Sequence, residues 1–306
     1  MILIISLNLA IDKVLYVDEF KPFTENRVIV LSSLPGGKGI NVARALRSFN
    51  KVSTVCGFKG GFNGKFIEEN LKKEGILSFL FEIESENRVC NIILNKNKIV
   101  TEIYEVGPEI KNKDFEGLLE QIKTKQESFQ YVVLTGSFPS NINDEQILNL
   151  LEIFKDRKIF LDIHGKILSK ILNNFEIFFL KINEKEFRNS FENYGDISKS
   201  ILEISKKYKI KIFVVTLGKD GAIFSYNGKL YKIYSDYQIE PINPVGAGDA
   251  FMGGFVHGID EGMAVLDALK YGISASISNT TLFEGGRVNF DNFYKIFESV
   301  AIENII

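Results

Sequence analysis

The 306-residue chain carries the stretch Asn243-Pro244-Val245-Gly246-Ala247-Gly248-Asp249-Ala250-Phe251, which says most about its fold. A turn bracketed by glycines leads directly into Asp249, and the apolar, helix-like run 250–256 follows. Glycines at a helix start leave backbone N–H groups free to bind an anion, which the helix dipole also favours. A carboxylate there would repel a phosphate unless it accepts a proton from a hydroxyl that attacks the phosphate. Taken alone, the stretch is better explained as an ordinary N-cap, so its interpretation depends on the rest of the chain.

The composition is that of an ordinary globular protein, with 45% hydrophobic and 25% charged residues and a formal net charge of −2. This charge argues against a nucleic-acid or anionic-membrane partner. Two cysteines, Cys56 and Cys90, have no metal or redox spacing and favour a reducing, cytoplasmic setting. The N-terminal run 1–5 lacks the basic region of a signal peptide, and no apolar run is long enough to span a bilayer.

Short apolar runs alternate with longer stretches of helical character along most of the chain. This alternation predicts a mostly parallel sheet with helices on both faces. The predicted strands are 2–7, 52–56, 131–134, 159–161, 177–180 and 212–216. The predicted helices include 64–74, 144–155 and 197–208, and the chain becomes mainly helical from Val245. Asp162 follows the predicted strand 159–161. The run 214–222 predicts a strand followed by a hairpin turn.

Two segments contain no helical stretch and cannot be ordinary βαβ units. Segment 13–34 predicts two strands, 14–20 and 27–34, and segment 89–105 predicts a hairpin that turns at Asn95-Lys96-Asn97-Lys98. A small separate sheet accommodates both, and its exposed face would serve as a lid, a dimer surface or both. The expected division is an α/β domain of residues 1–12, 35–87 and 106–306 and a lid of residues 13–34 and 88–105.

A second glycine cluster, Pro35-Gly36-Gly37-Lys38-Gly39-Ile40-Asn41, precedes the helix-like run 42–46. It again places free N–H groups at a helix entrance, now beside a lysine and an amide. It is not a Walker A loop, because Gly39 rather than Ser or Thr follows Lys38. One such loop could be a surface turn with a solvated lysine. Two in one α/β domain favour a site for two anions, such as a nucleotide and a phosphorylated substrate.

Polar residues near strand ends are the remaining candidates. Asp12 follows the first strand, where ligands of open α/β sheets collect, and it could bind sugar hydroxyls or be an ordinary loop residue. Arg88 and Arg27 open strands, and each could bind phosphate or be a solvated edge charge. Asn183 and Glu186 follow an apolar strand. Their oxygens suit water-mediated Mg²⁺ binding, but the same pair could form a helix capping box.

Taken together and in this order, the motifs resemble the ribokinase/PfkB family of carbohydrate kinases over essentially the whole chain. The two diagnostic runs are 35–46, PGGKGINVARAL, and 245–255, VGAGDAFMGGF. Within the family the chain most resembles the kinases of phosphorylated ketohexoses, 1-phosphofructokinase and tagatose-6-phosphate kinase, as residues 7–12, 57–64 and 101–108 indicate. The resemblance implies a ribokinase-like three-layer αβα sandwich with a β lid, ATP and Mg²⁺ as cofactors, and a homodimer formed through the lid.

The resemblance also implies roles for the candidate residues. Asp249 would be the catalytic base, beside an anion hole formed by the N–H groups of Gly246, Ala247 and Gly248. The sugar would be held by Asp12, Gly37, Lys38 and Asn41. Its phosphate would lie near Lys38 and Arg88, and Arg27 would reach a phosphate from the lid of the same or the partner subunit. Asn183 and Glu186 would organise Mg²⁺ through water. ATP would be bordered by Lys181, Asn183, Thr216, Gly218, Gly221, Ser274 and Asn279.

Several positions depart from the usual pattern of the family. Pro244 and Asn87 each stand where Thr is common, Ile163-His164 replaces Thr-Ser, and Ile182 replaces Pro. None of these changes removes a group that the chemistry requires, so they bear on substrate identity rather than on the reaction.

The expected reaction is in-line transfer of the γ-phosphoryl group of ATP to a hydroxyl of fructose 1-phosphate or tagatose 6-phosphate. Either acceptor gives a ketohexose 1,6-bisphosphate, and the residues do not separate the two. One alternative is a kinase of an unphosphorylated sugar or nucleoside, which the positive charge of Lys38, Arg88 and Arg27 disfavours. Another is a non-catalytic sensor of sugar phosphates or nucleotides, which the presence of Asp249 and of the Asn183/Glu186 pair disfavours.

Overall fold

The computed structural model describes residues 1–97, 99–191 and 195–305. The predicted turn residue Lys98 lies outside these ranges. The strands are β1 (Ile2–Ile5), β2 (Ala10–Val17), β3 (Ile29–Gly36), β4 (Ser53–Gly60), β5 (Leu77–Ile83), β6 (Arg88–Asn95), β7 (Val100–Tyr104), β8 (Tyr131–Thr135), β9 (Lys158–Asp162), β10 (Ile177–Asn183), β11 (Ile210–Thr216), β12 (Ala222–Tyr226), β13 (Lys229–Ser235) and β14 (Val300–Asn304).

The helices are α1 (Lys38–Ser48), α2 (Gly61–Lys73), α3 (Asn112–Lys125), α4 (Asp144–Glu152), α5 (Lys166–Asn174), α6 (Glu184–Ser190), α7 (Ile197–Lys207), α8 (Ala247–Asp260), α9 (Val265–Asn279) and α10 (Phe290–Ser299). Within the described ranges, no helix is both long and apolar enough to cross a membrane.

A large sheet forms the centre of the molecule, in the order β14-β13-β12-β11-β10-β9-β8-β1-β4-β5. The strands from β11 to β5 run parallel to one another, and β12, β13 and β14 add antiparallel strands at the other edge. The predicted strands and the predicted parallel sheet are therefore confirmed. The hairpin predicted after residue 214 is also present, as β11 and β12.

Helices cover both faces of this sheet, because its strands are apolar on both sides. Within β1, Leu3 and Ile5 pack into one core cluster, whereas Ile2 and Ile4 pack into the other. Residues of α3, α4, α5 and α7 complete the first cluster, and residues of α1, α2, α8 and α9 complete the second. The result is the three-layer sandwich that the family resemblance implies.

The two segments expected to form the lid make a separate four-stranded sheet, in the order β3-β2-β6-β7, which we call the lid. It is a mixed sheet, since β2 pairs antiparallel with β3 but parallel with β6, and β6 pairs antiparallel with β7. The sheet begins at Ala10 and β3 ends at Gly36, so it extends beyond the expected limits of 13 and 34. The reason is that β2 pairs with β6 from Ala10 onward. Asp12 therefore lies inside a lid strand and not in a loop after the first strand.

The C-terminal part of the chain is mainly helical, as the sequence pattern predicted, but one strand follows the last helix. Residues Val300–Asn304 form β14, which pairs with β13 at the edge of the large sheet. Val300 and Ile302 pack onto the core, and this burial explains why the segment is extended. The sequence pattern did not reveal this strand, because the strand is short and pairs with a segment more than 60 residues earlier in the chain.

Candidate active site

The glycine turn before α8 brings a carboxylate to the start of a buried helix. Gly246 adopts a left-handed φ of 84°, and a side chain there would come within 2.7 Å of the Cα atom of Gly285. The turn is thus held against the following loop, and α8 begins at Ala247. Asp249 lies in the first turn of α8, with 6% of its surface exposed. The N–H group of Ala247 donates to the carbonyl oxygen of Pro244 at 3.2 Å, so this member of the expected anion hole is engaged in the turn.

Asp249 is bound by a residue of the other glycine motif. The side-chain Nδ2 of Asn41, on α1, donates to Oδ2 of Asp249 at 2.9 Å. This contact requires α1 and α8 to pack closely. Gly253 permits that approach, because a side chain there would overlap the Cβ atom of Ala45 on α1. The two glycine motifs, which lie far apart in the sequence, therefore meet at one carboxylate.

The surroundings of Asp249 oppose its ionisation. Burial raises the pKa of Asp249 to about 7, and the neighbouring Asp162 carboxylate adds to the effect, while Lys38, Lys181 and the hydrogen bond from Asn41 act in the opposite direction. A carboxylate with such a pKa can take up and release a proton near neutral pH, which is the range in which a general base works best.

A second buried carboxylate, Asp162 at the end of β9, lies between two lysines. Lys181, on the adjacent strand β10, approaches it to 2.7 Å and also donates to the carbonyl oxygen of Gly248 at 3.1 Å. Lys38, at the start of α1, approaches it to 3.1 Å. Burial alone would raise the pKa of Asp162, but the Lys181 and Lys38 ammonium groups outweigh burial and hold it below its usual range. The sequence marked Asp162 only as the end of a strand and assigned it no role.

Lys38 also forms an ion pair with Glu186 at 3.0 Å. Burial disfavours its charge, yet Asp162, Glu186 and Asp249 together raise the pKa of Lys38, so it stays protonated. Lys38 therefore belongs to an acidic cluster formed by Asp162, Glu186 and Asp249.

Asp12 and Arg88 lie together on the neighbouring strands β2 and β6. The carboxylate of Asp12 accepts from the N–H of Gly37 at 3.4 Å, and Gly36 leaves room for it, since a side chain at Gly36 would overlap the carboxyl group. Burial raises the pKa of Asp12, although Arg44, the Gly37 N–H and Arg88 each lower it. The second glycine cluster thus folds over a half-buried carboxylate.

Arg88 has unused hydrogen-bonding capacity beside Asp12. Its Nη2 donates to the carbonyl oxygen of Asn8 at 3.2 Å, and its guanidinium lies 5.9 Å from the ring centre of Tyr104. Its Nε is buried and has no hydrogen-bond partner among the described residues. Arg27 differs, because its side chain is 91% exposed and pairs with Glu25 at 3.0 Å. The structure brings Asp12, Gly37 and Arg88 together but leaves Arg27 on the outside of the lid.

Asn183 and Glu186 form the capping box at the start of α6. The side chain of Asn183 accepts from the N–H of Glu186 at 2.8 Å, and the Glu186 carboxylate accepts from the N–H of Asn183 at 2.9 Å. The other carboxylate oxygen of Glu186 faces Lys38. The capping alternative considered from the sequence is therefore realised, and it fixes both side chains at the mouth of the acidic cluster.

A cavity of about 460 Å³ opens beside this helix start, within the size range of small-molecule sites. Its walls include three of the residues expected to border ATP, namely Asn183, Thr216 and Gly218. Gly221 forms the turn between β11 and β12 with a φ of 87°. Two other expected residues are engaged elsewhere. The buried Ser274 hydroxyl donates to the carbonyl oxygen of Lys270 at 2.7 Å. The side chain of Asn279 donates to the carbonyl oxygens of Glu284 and Arg287.

Comparison with known proteins identifies the family. Residues 1–281 match the family model described as pfkB family carbohydrate kinase. The chain belongs to the pfkB family. It is accordingly a carbohydrate kinase, and this family membership implies ATP as the phosphoryl donor.

Two curated pfkB relatives and one solved structure match nearly the whole chain. Tagatose-6-phosphate kinase of Staphylococcus epidermidis is 31% identical over 99% of both chains. The 1-phosphofructokinase of Borreliella burgdorferi is 30% identical over 100% of this chain and 99% of its own. A Thermotoga maritima protein, described as a possible 1-phosphofructokinase, has 25% identity and a TM-score of 0.89 over 100% of this chain and 99% of its own. The expected family and fold are therefore confirmed.

Of the departures from the pfkB pattern, Asn87 has a clear structural role. The buried Asn87 side chain accepts from the N–H of Gly60 at 2.7 Å and donates to the carbonyl oxygens of Phe58 and Leu9, so it joins β4 to the first part of the chain. The carbonyl oxygen of Pro244 accepts the hydrogen bond that closes the turn before α8. His164 lies 3.8 Å from Glu186 at the surface.

Proposed function

We propose that this pfkB protein is an ATP-dependent kinase that phosphorylates a ketohexose monophosphate, either fructose 1-phosphate or tagatose 6-phosphate, to the 1,6-bisphosphate. The observation that carries the proposal is the position of Asp249, a buried carboxylate at the N-terminus of α8 whose pKa is raised to about 7. The names of the two full-length relatives support the substrate class.

In the proposed mechanism Asp249 accepts the proton of the attacking hydroxyl. The N-terminus of α8 provides N–H groups and the positive end of a helix dipole for the phosphoryl oxygens. Lys38 and Lys181, which pair with Asp162, add positive charge at the same place. Catalysis then consists mostly of positioning and of electrostatic stabilisation of the transferring group.

The substrate's own phosphate is proposed to bind Arg88. Its buried Nε lacks a partner among the described residues, and an arginine fork suits a phosphate. Asp12 and the N–H of Gly37 would bind sugar hydroxyls beside it. Because Lys38 is already paired with Asp162 and Glu186, we assign it to the transferring phosphoryl group in preference to the phosphate of the substrate.

ATP is proposed to occupy the cavity bordered by Thr216 and Gly218, with its phosphates directed toward α8. Mg²⁺ fits the oxygens of Asn183 and Glu186 only through water, because the capping box already uses both side chains. The described residues contain no group of three or more His, Cys, Asp or Glu that could hold a metal ion by themselves. When bound with ATP, Mg²⁺ would neutralise charge on the phosphates.

A homodimer through the lid is proposed from its exposed apolar residues. On the edge strand β3, Ile29 and Val30 are 64% and 58% exposed. The other edge strand, β7, ends in the exposed Ile103 and Tyr104.

A cytoplasmic location is also proposed, since Cys56 and Cys90 are both free and buried.

A substrate panel tests the proposed function. Values of kcat/KM would be measured with fructose 1-phosphate, tagatose 6-phosphate, fructose 6-phosphate, fructose and tagatose, with Asp249→Asn as the inactive control. We expect one of the first two compounds to be preferred. A free sugar as the best acceptor would refute the substrate class and favour the alternative kinase. The absence of ADP production with every compound would favour the sensor.

A further inference from the structure

Arg44 is an almost fully buried arginine, 4% exposed, that lies one helical turn after Asn41 on α1. Its Nε and Nη2 bind both carboxylate oxygens of Glu74, at 2.6 and 3.0 Å. This two-point pairing holds the guanidinium in one orientation, because the fork matches the carboxylate.

The remaining donors of Arg44 reach three parts of the site. Nη2 donates to the carbonyl oxygen of Pro35 at 2.5 Å, at the start of the second glycine cluster. Nη1 donates to the carbonyl oxygen of Gly285 at 3.4 Å, in the loop that packs on Gly246. Nη1 also donates to Oδ1 of Asn41 at 3.1 Å. Arg44 therefore connects both glycine motifs with the amide that binds Asp249.

The chemistry of the guanidinium decides which way this amide faces. Arginine can only donate hydrogen bonds, so the Asn41 atom beside it must be the oxygen. The nitrogen of the same amide then points at Asp249 and donates to its carboxylate. We propose that Arg44 is a positioning residue of the kinase, which fixes the Asn41 amide so that it always presents a donor to Asp249. This inference rests on the proposed role of Asp249 as the base.

The orientation matters because burial already opposes the ionisation of Asp249, so the hydrogen bond from Asn41 is one of the few contacts that favour the charged form. Asp162 on β9 favours its protonation, while Lys38 on α1 and Lys181 on β10 favour its ionisation. Glu74 and Arg287 lie beyond Arg44 and are 3.9 Å apart. Without Arg44 the amide can rotate and present its oxygen to Asp249. A hydrogen bond then forms only with the protonated carboxyl group, which cannot act as a base.

The test is the pH profile of kcat for Arg44→Met, with Glu74→Gln as the matched control that keeps the Arg44–Asn41 hydrogen bond. The acid limb is the pH range in which kcat falls as Asp249 becomes protonated. For Arg44→Met we expect this limb to move up by about one pH unit, which corresponds to the free energy of one hydrogen bond to a charged group. The value of kcat would therefore fall about tenfold on that limb and recover at higher pH, with KM for ATP unchanged. The Glu74→Gln profile should keep its limb.

A double variant, Arg44→Met/Glu74→Gln, covers the case in which Arg44→Met does not fold, since it leaves no unpaired carboxylate. The same shift is expected for it. A kcat lowered equally at all pH values, or an unshifted limb, would overturn the inference. The variant Asp249→Asn shows whether a negative result refutes only the role of Arg44 or also the role of Asp249 as the base. If that variant keeps normal kcat, the base assignment itself is wrong, whereas an inactive variant leaves only the role of Arg44 refuted.

Discussion

Asp249 is the residue on which most of the interpretation depends, and its protonation is set by neighbours from three elements, β9, α1 and β10. Burial and Asp162 oppose its ionisation, and Lys38, Lys181 and Asn41 favour it. These opposing effects leave a buried carboxyl group that changes its charge near neutral pH and not near pH 4. A group of this kind can accept a proton from a sugar hydroxyl and later release it to solvent.

The raised pKa of Asp249 predicts the direction of the pH dependence. Because the base must be ionised, kcat should be highest above pH 7 and should fall as the pH drops through about 7, by about tenfold per pH unit. Single-turnover rates at saturating ATP between pH 5.5 and 9 would measure this limb. A rate that stays constant down to pH 5 would mean that the proton acceptor has an ordinary carboxyl pKa.

Asp162→Asn should move the same limb in the opposite direction from Arg44→Met. The substitution removes the carboxylate that repels Asp249 and leaves Lys38 and Lys181 positively charged beside it. We therefore expect the pKa of Asp249 to fall and the acid limb to move to lower pH. The melting temperature should also fall, because the buried Lys181 and the half-buried Lys38 lose a partner. An unchanged or raised limb would show that Asp162 does not act on the base.

At the scale of the elements, α1 and α8 matter as a pair, because they carry Asn41 and Asp249. Their close packing depends on Gly253, where a side chain would overlap Ala45. Gly253→Ala should lower stability by about 1–3 kcal/mol through overpacking, despite the better helix propensity of alanine. It should also lower kcat, since the Asn41–Asp249 hydrogen bond would lengthen.

A thermal melt and a kcat measurement check this expectation against Gly195→Ala. Gly195 precedes α7 and has open space where a side chain would be added. The control should leave both quantities unchanged. A Gly253→Ala variant with normal melting temperature and normal kcat would show that the approach of the two helices is not limiting.

The elements also show which features a sequence can predict. The turn before α8 and the capping box of α6 were predictable, because their interactions join residues at most four apart. The role of Asp162 was not, because its partner Lys38 is 124 residues away. The same holds for Asn41 and Asp249, which are 208 residues apart, and for Arg44 and Gly285. The residue types were visible in the sequence, but their pairing follows from strand order and helix packing.

At the scale of the whole molecule, the alternation of strands and helices was sufficient to predict the layered sheet, because central strands such as β1 and β8 are apolar on both faces. The small sheet was predicted from the absence of helices in two segments. Its limits and the parallel pairing of β2 with β6 could not be predicted, because they depend on register between distant strands.

The exposed apolar edge of the lid predicts a second copy as its partner. Val30→Lys on β3 should convert a dimer into a monomer, because a lysine placed at the interface would be desolvated without a partner. Light scattering coupled to gel filtration would measure the mass. Leu77→Lys, at the exposed start of β5 on the other sheet, is the control and should keep the mass of the parent. A parent protein that is already a monomer would refute the lid dimer.

The kinase mechanism as a whole depends on Asp249 as the proton acceptor, and Asp249→Asn tests that role with little change of shape. The asparagine can still accept the hydrogen bond from Asn41, so folding and ATP binding should be preserved. We expect kcat with the best ketohexose phosphate to fall by a factor of about 10²–10⁴, the usual contribution of a general base. The Kd for ATP, measured by calorimetry, should stay within about twofold of the parent value, because the proposed base acts in the chemical step and not in ATP binding. A variant that binds ATP normally and turns over at the parent rate would contradict the mechanism.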